Sequence, residues 1–189
     1  MAHIGKITVN FANVAPDKFR ELVLYVAQKC ADDPRFGATK LNKILFFADF
    51  LAYAKYGEPI TNAAYIKLPY GPGAKPMAPV REEMLENREI AIERRERYGR
   101  SQERIVPLRK PDLSGFTATE IALVDDVIDG LWGFNASEVS QITHGLRGWK
   151  VAWDGADIPY EAVFLSDEGL TDYDISHARE LIREHGWDV

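Results

Sequence analysis

The stretch KLNKILFFADFLAYAKYG, residues 40–57, decides the fold. Leu41, Ile44, Leu45, Ala48, Leu51 and Ala52 recur at the helical period and make one apolar stripe. Phe46, Phe47, Phe50 and Tyr53 add a second apolar face. A helix apolar on nearly all sides belongs inside, so this one is expected to be the spine that the other helices wrap. Thr39 stands where an N-cap is expected, and Gly57 where a C-terminal stop is.

Working outward, Pro16 opens a helix whose stripe is Phe19, Leu22, Val23, Val26 and Cys30. Before it, Ile7, Val9 and Phe11 alternate as a short strand does. After the spine, NAAYIKLPYGPGAKP reads as a short strand running into a rigid Gly/Pro turn. Pro76 or Pro79 then starts a helix with Met77, Val80 and Met84 inward. EIAIERRERYGRSQERIVPLRK, within the basic stretch 88–110, predicts a long basic hairpin that turns near Gly99, with Ile90, Ile92, Ile105 and Val106 on its arms. Thr117 with Glu120, and Asn135 with Glu138, predict two capping boxes. The second of these helices ends at His144 with Gly145 as its stop; Asp154-Gly155 is a turn, and Pro159 begins a short helix. A last helix is expected at about 172–185. The predicted class is α+β, predominantly helical: a central apolar helix, wrapped by helices, with a small antiparallel sheet. One domain over residues 1–189 suits this length.

No apolar run reaches the length needed to cross a bilayer, and the N-terminus lacks a signal-peptide layout, so the expected location is the cytoplasm. A single cysteine, Cys30, excludes an intramolecular disulfide and a cysteine zinc site; its place on an apolar stripe makes it a buried, inert thiol. The net charge is −6, unevenly spread. Between Arg88 and Lys110 stand eight basic and four acidic residues, a local charge of +4 that leaves −10 for the rest. Within it, Arg94, Arg95, Arg97, Arg100 and Arg104 are candidates for contacting a partner protein. Interleaved glutamates give the alternative of cross-strand ion pairs on a wet surface, and a nucleic-acid wing is a further, weaker reading.

Chemistry is hard to place. His177 and His185 are eight apart among charged neighbours, so neither they nor the cysteine predict a metal site, and no cofactor is expected. YGPGAKP lacks the spacing and the Lys-Ser/Thr end of a phosphate-binding loop. His144, in ITHGLRGWKVAWDG, invites a catalytic reading with Tyr70 or Lys40 nearby. A helix C-terminus favours a histidine without chemistry, and Trp149 and Trp153 can give it an aromatic corner, so scaffold is preferred.

Three motifs taken in order carry a resemblance: KLNKILFFADFLAYAKYGEPI, then YGP, then TH with a tryptophan and DGADIP. They resemble the SocA-like antitoxin domain, also called the Panacea domain, of bacterial and phage toxin–antitoxin pairs. The matching residues are Lys40, Leu41, Lys43 and Phe46, then Tyr70, Gly71 and Pro72, then Thr143, His144 and Trp149, within a span of about 16–165. Leu68, Tyr70 and Gly73 stand where the family commonly has a tryptophan before the Gly-Pro turn and a valine after it. The resemblance implies a non-enzymatic protein that neutralises a cognate toxin, often encoded next door, by direct binding. In one branch of the family the antitoxin instead delivers the toxin to a AAA+ protease.

Overall fold

The computed structural model describes residues 16–97 and 100–165 and the single positions 176, 180 and 183. The strand expected at 7–11 lies outside the described residues, as do His3, His177 and His185. Of the helix expected at 172–185, the three described positions are helical.

Helix α1 (Pro16–Lys29) leads to α2 (Ala38–Tyr56), followed by strands β1 (Tyr65–Leu68) and β2 (Gly71–Ala74). Helix α3 (Met77–Glu86) precedes the hairpin of β3 (Ile90–Arg97) and β4 (Arg100–Pro107). Helices α4 (Ala118–Gly130), α5 (Ala136–Gly145) and α6 (Arg147–Val151) then lead to β5 (Asp157–Ile158) and a 3-10 turn, Tyr160–Phe164. The chain is α+β and predominantly helical, as its patterning predicts. One sheet has the order β2-β1-β5, all antiparallel, and the hairpin forms a second, two-stranded sheet.

Helix α2 is the spine. Leu41, Ile44, Leu45, Ala48 and Ala52 are buried, and α1, α4, α5, β2 and the 3-10 turn pack on it. Its aromatic face sets Phe46 and Phe50 edge-on against Tyr65, tilts Phe50 against Tyr160 and stacks Tyr53 on Tyr160. Asp49, wholly buried, accepts from Thr61 N (2.7 Å), Thr61 Oγ1 (2.5 Å) and Tyr65 OH (2.8 Å), which pins α2 to the chain entering β1. Burial nonetheless pushes its carboxyl up to about 6, because desolvating the anion outweighs these donors.

The wrapping is incomplete. Leu51, placed in the core stripe by its spacing, is 38% exposed, and Phe47 is half-buried. Periodicity tells which residues are apolar, not whether a neighbour reaches each of them.

Local signals read well at most ends. Both capping boxes form, with Thr117 accepting from Glu120 N and Asn135 from Glu138 N. Gly57 closes α2 at φ +80°, its N–H donating to Tyr53 O. Thr39 does not cap α2: the N-cap is Gly37, without a side-chain bond, and Thr39 is already helical. The Gly/Pro run is also corrected. GPGA is strand β2, buried at all four positions, and the reversal lies ahead of it between Leu68 and Gly71. Lacking bulky side chains, β2 lies close against α2, where Asn42 Oδ1 accepts from Ala74 N. Strand β5 and helix α6 were not legible beforehand.

Candidate functional site: the motif knot, the basic hairpin and the α2 groove

The three separated motifs meet in one place. Lys43, 2% exposed on α2, donates from Nζ to Pro72 O at 2.7 Å. Ser140 of α5 donates to Tyr70 O at 3.1 Å, and Thr143 to Ser140 O at 2.9 Å. Gly71, at φ +97°, sits between them: a Cβ there would come within 2.8 Å of Lys43 Nζ and closer still to Thr143 Oγ1. Only glycine satisfies both that backbone angle and that space. Burial pushes the Lys43 amine down to about 7, since the ammonium loses its water.

Lys40 is anchored elsewhere. Its Nζ binds Asp33 Oδ2 at 2.5 Å and Phe134 O at 3.0 Å, joining the α1–α2 loop to the α4–α5 loop. Both partners of this ion pair are buried, a geometry that costs stability if either is removed alone. Leu41 and Phe46 lie in the core. The two motif lysines are thus internal ties on one helix, aimed at different loops.

His144 lies flat on Trp149, ring centroids 4.0 Å apart and planes at 14°. Lys67 Nζ stands 4.3 Å from the Trp149 ring centre. His144 Nε2 and Trp149 Nε1 are buried without hydrogen-bond partners. Tyr70 projects at 75% exposure and Lys40 is held by Asp33, so the residues that a catalytic reading grouped with His144 are committed to other surroundings. Trp153 does not share the Trp149 face; it is 85% exposed on the loop toward β5. Among the described residues no group of three His, Cys, Asp or Glu side chains could hold a metal ion. Burial pushes the Cys30 thiol up to about 12, so it carries no thiolate at neutral pH.

The basic segment folds onto its own acids. Arg94 pairs with Glu103 at 3.0 Å and Arg95 with Glu93 at 2.8 Å. At the hairpin base Arg109 grips Glu21 and Glu89 together. Arg97 and Arg100 face each other across the tip in backbone register; their side chains lie outside the described residues. Arg104 is a correction to the candidate contact set. It is 4% exposed, and its guanidinium donates to Cys30 O, Ala31 O and Asp33 O at 2.7–3.1 Å. It gathers three carbonyls of the turn after α1, two of which, Cys30 O and Asp33 O, also accept backbone N–H groups, a task that needs a long, forked donor. That role depends on the hairpin docking against α1, which local sequence does not encode.

Sequence reasoning missed a groove along α2. Phe47 and Leu51, one turn apart, form a ridge between two apolar hollows. The smaller, about 120 Å³, is walled by Phe46, Phe50, Trp149, Ile158 and Val163. The larger and more open, about 370 Å³, is walled by Leu123, Val127 and Leu131 of α4 and Ile142 of α5. Gly148 lets α6 approach the 3-10 turn beside the smaller hollow: a Cβ there would lie 2.6 Å from that of Ala162. The signal was present as the second apolar face of residues 40–57, which is wider than its neighbours can cover.

Among the described residues no helix is long and apolar enough to cross a membrane. No curated protein and no solved structure matches the chain. The family profile described as "Antitoxin SocA-like, Panacea domain" matches residues 41–150, more than half of the chain, and the knot of Lys43, Gly71, Pro72 and Thr143 lies within that span. With the three motifs joined in one internal network, the chain belongs to the SocA-like antitoxin family and so to toxin–antitoxin biology in general.

Proposed function

We propose that this chain is a non-enzymatic antitoxin, one domain over its 189 residues, that neutralises a cognate toxin by direct binding in the cytoplasm. The observation that carries this reading is the family match over residues 41–150. The internal bonding of the family residues supports it: Lys40, Lys43, Gly71, Pro72 and Thr143 hold loops together, which suits a scaffold that presents a surface. The partner is a toxin encoded in the adjacent gene. It is either occluded in the complex or handed to a AAA+ protease.

Co-expression of this chain with each adjacent gene product tests the reading. Growth inhibition by one product, relieved by this chain, together with a complex that survives gel filtration, is the expected result. If no neighbour is toxic or none binds, the antitoxin reading fails. Blocking predicts that toxin levels stay constant while growth recovers; delivery predicts a fall in toxin that is lost in protease-deficient cells. The DNA-binding alternative, with the hairpin as a wing, requires salt-sensitive retardation of promoter DNA. The pairing of Arg94 and Arg95 with glutamates weighs against it.

A further inference from the structure

The hairpin leaves one strand edge open. Leu108 N donates to Glu89 O at 2.7 Å, and Pro107, the register partner of Ile90, has no N–H to give. The ladder therefore alternates so that Ala91, Glu93 and Arg95 turn their backbone groups toward β4, and Ile90, Ile92 and Arg94 turn theirs away. Strand β4 is the inner member: Arg104 and Ile105 are buried, and a Cβ on Gly37 would lie 3.2 Å from Glu103 O. Strand β3 has no second neighbour in its sheet, and no described residue bonds to the outward groups of Ile90, Ile92 and Arg94. The other sheet ends on buried β2 and on β5, which is two residues long. Charges at 93–97 guard the outer half of the β3 edge, whereas Ile90, Ala91 and Ile92 leave its inner half apolar and unguarded. Beside it, Arg81 and Leu85 of α3 and Ile92, Arg94 and Glu103 of the hairpin wall a hollow of about 370 Å³.

We propose that residues 7–11 of this chain close that edge as a third, antiparallel strand, with Phe11 opposite Ile90, Val9 opposite Ile92, and Ile7, Val9 and Phe11 facing the hollow. These residues lie ahead of Pro16, where the described chain begins. The inference goes beyond the antitoxin reading and does not depend on it.

Position, direction and pattern single out this occupant. Arg20, one turn into α1, meets Glu83 of α3 at 2.5 Å and Glu89, the residue before β3, at 3.3 Å. Glu21 reaches the same place through Arg109. The chain ahead of Pro16 is thus delivered to the foot of β3. The stretch from Phe11 to Pro16 spans up to roughly 17 Å when extended, and Pro16 to Arg20 is about 6 Å along the helix. A strand arriving at the foot runs opposite to β3, which leaves from it, so the pairing is antiparallel. Ile7, Val9 and Phe11 alternate with Thr8 and Asn10. On β3, Ile90 and Ile92 share the face turned to Leu85 and the hollow, while Ala91 and Glu93 share the other. Residues opposite each other in an antiparallel pair share a face, so this register continues one apolar face with another. Thr8 then falls beside Glu93, and Asn10 beside Ala91. The covalent link also gives residues 7–11 a local concentration that no free strand from another protein has.

The test follows backbone amide exchange by NMR in the full chain and in Val9→Pro, which has no N–H to donate to the edge. In wild type the Ile92 and Arg94 amides, which face away from β4, should exchange at least 30-fold more slowly than in the variant. The Ala91 and Glu93 amides, which face β4, should change less than threefold. Equal exchange of Ile92 and Arg94 in the two proteins overturns the proposal, whether both are fast, as on a bare edge, or both slow. A disulfide checks the register. Thr8 and Glu93 would stand opposite each other in a non-hydrogen-bonded pair, with Cα atoms about 4.5 Å apart, a separation that a disulfide bridges. Under mild oxidation, Thr8→Cys with Glu93→Cys should form an intramolecular disulfide at least tenfold faster than Val9→Cys with Glu93→Cys, whose side chains would lie on opposite faces. Cys30 is buried and does not compete. Equal rates overturn the proposal. Disulfide-linked dimers in place of bridged monomers, or Ile92 protection that rises with protein concentration, would assign the edge to a second copy and overturn it as well.

Discussion

The β3–β4 hairpin and the α2 groove invert what their sequences announce. The hairpin carries the densest basic charge in the chain, yet Arg94, Arg95 and Arg109 pair with glutamates, and Arg104 is buried on carbonyls. The groove comes from the helix that should have been wholly covered, yet Leu51 and Phe47 remain open beside two hollows. A cluster of charge is readily answered from within a fold, because opposite charge costs little to place on a neighbouring strand. Apolar area is answered only by another packed element, and α2 has more of it than its neighbours reach. The charged segment is thus answered within the described fold, while part of the apolar face of α2 is not.

The largest effect should separate two leucine-sized side chains on α2 itself. Ile44 is fully buried, so Ile44→Ala should cost about 4 kcal/mol through lost transfer energy and the cavity left behind. Leu51→Ala, two turns along, should cost under about 1 kcal/mol, because much of its side chain already meets water. Chemical denaturation of the two variants measures the difference. Equal costs would mean that Leu51 is covered in solution, and the division between the faces would collapse.

Two buried cations come next. Arg104→Met should lose about 2 kcal/mol, since charge-assisted bonds to three carbonyls disappear while Cys30 O and Asp33 O keep their backbone donors, Asp33 N and Phe36 N. Lys43 gives a pH signature. Its amine titrates near 7 in the folded chain and near 10.5 when unfolded, so between those values the unfolded state holds a proton that the native state lacks. Stability should therefore rise with pH, by about 2 kcal/mol from pH 7 to 9, and Lys43→Met should flatten that rise. Asp49 has the opposite sign: its folded carboxyl keeps a proton from 3.8 up to about 6, so stability should fall as pH rises across that window. Urea titrations at pH 4, 6, 7 and 9 resolve both.

What was legible divides along physical lines. Helix ends were readable where a side chain closes a local ring, as with Thr117–Glu120 and Asn135–Glu138, because those bonds span three residues. The spine was readable from apolar density alone. Strand β2 was not, because glycine and proline signal a turn locally, while the reason for two glycines there is close approach to Lys43, Thr143 and Leu68. Arg104 looked like its exposed neighbours because only the docking of the hairpin on α1 buries it. The motif residues were legible as a set through resemblance; that Lys43, Gly71 and Thr143 touch required the fold.

The smallest effect is the sharpest control on the hairpin. Arg94 is exposed, and Glu103, its partner, also lies 3.5 Å from Arg81. Removing Arg94 leaves that carboxylate with a second cation, so Arg94→Ala should change stability by less than about 0.5 kcal/mol. Whatever difference exists at low ionic strength should vanish near 1 M salt, where screening acts over about 3 Å. A loss above 1 kcal/mol that persists in high salt would show the hairpin to be a structural element of the core rather than a self-neutralised rim. A stability change within the expected range, joined to a tenfold loss of toxin affinity, would make Arg94 a partner contact that its glutamate does not neutralise.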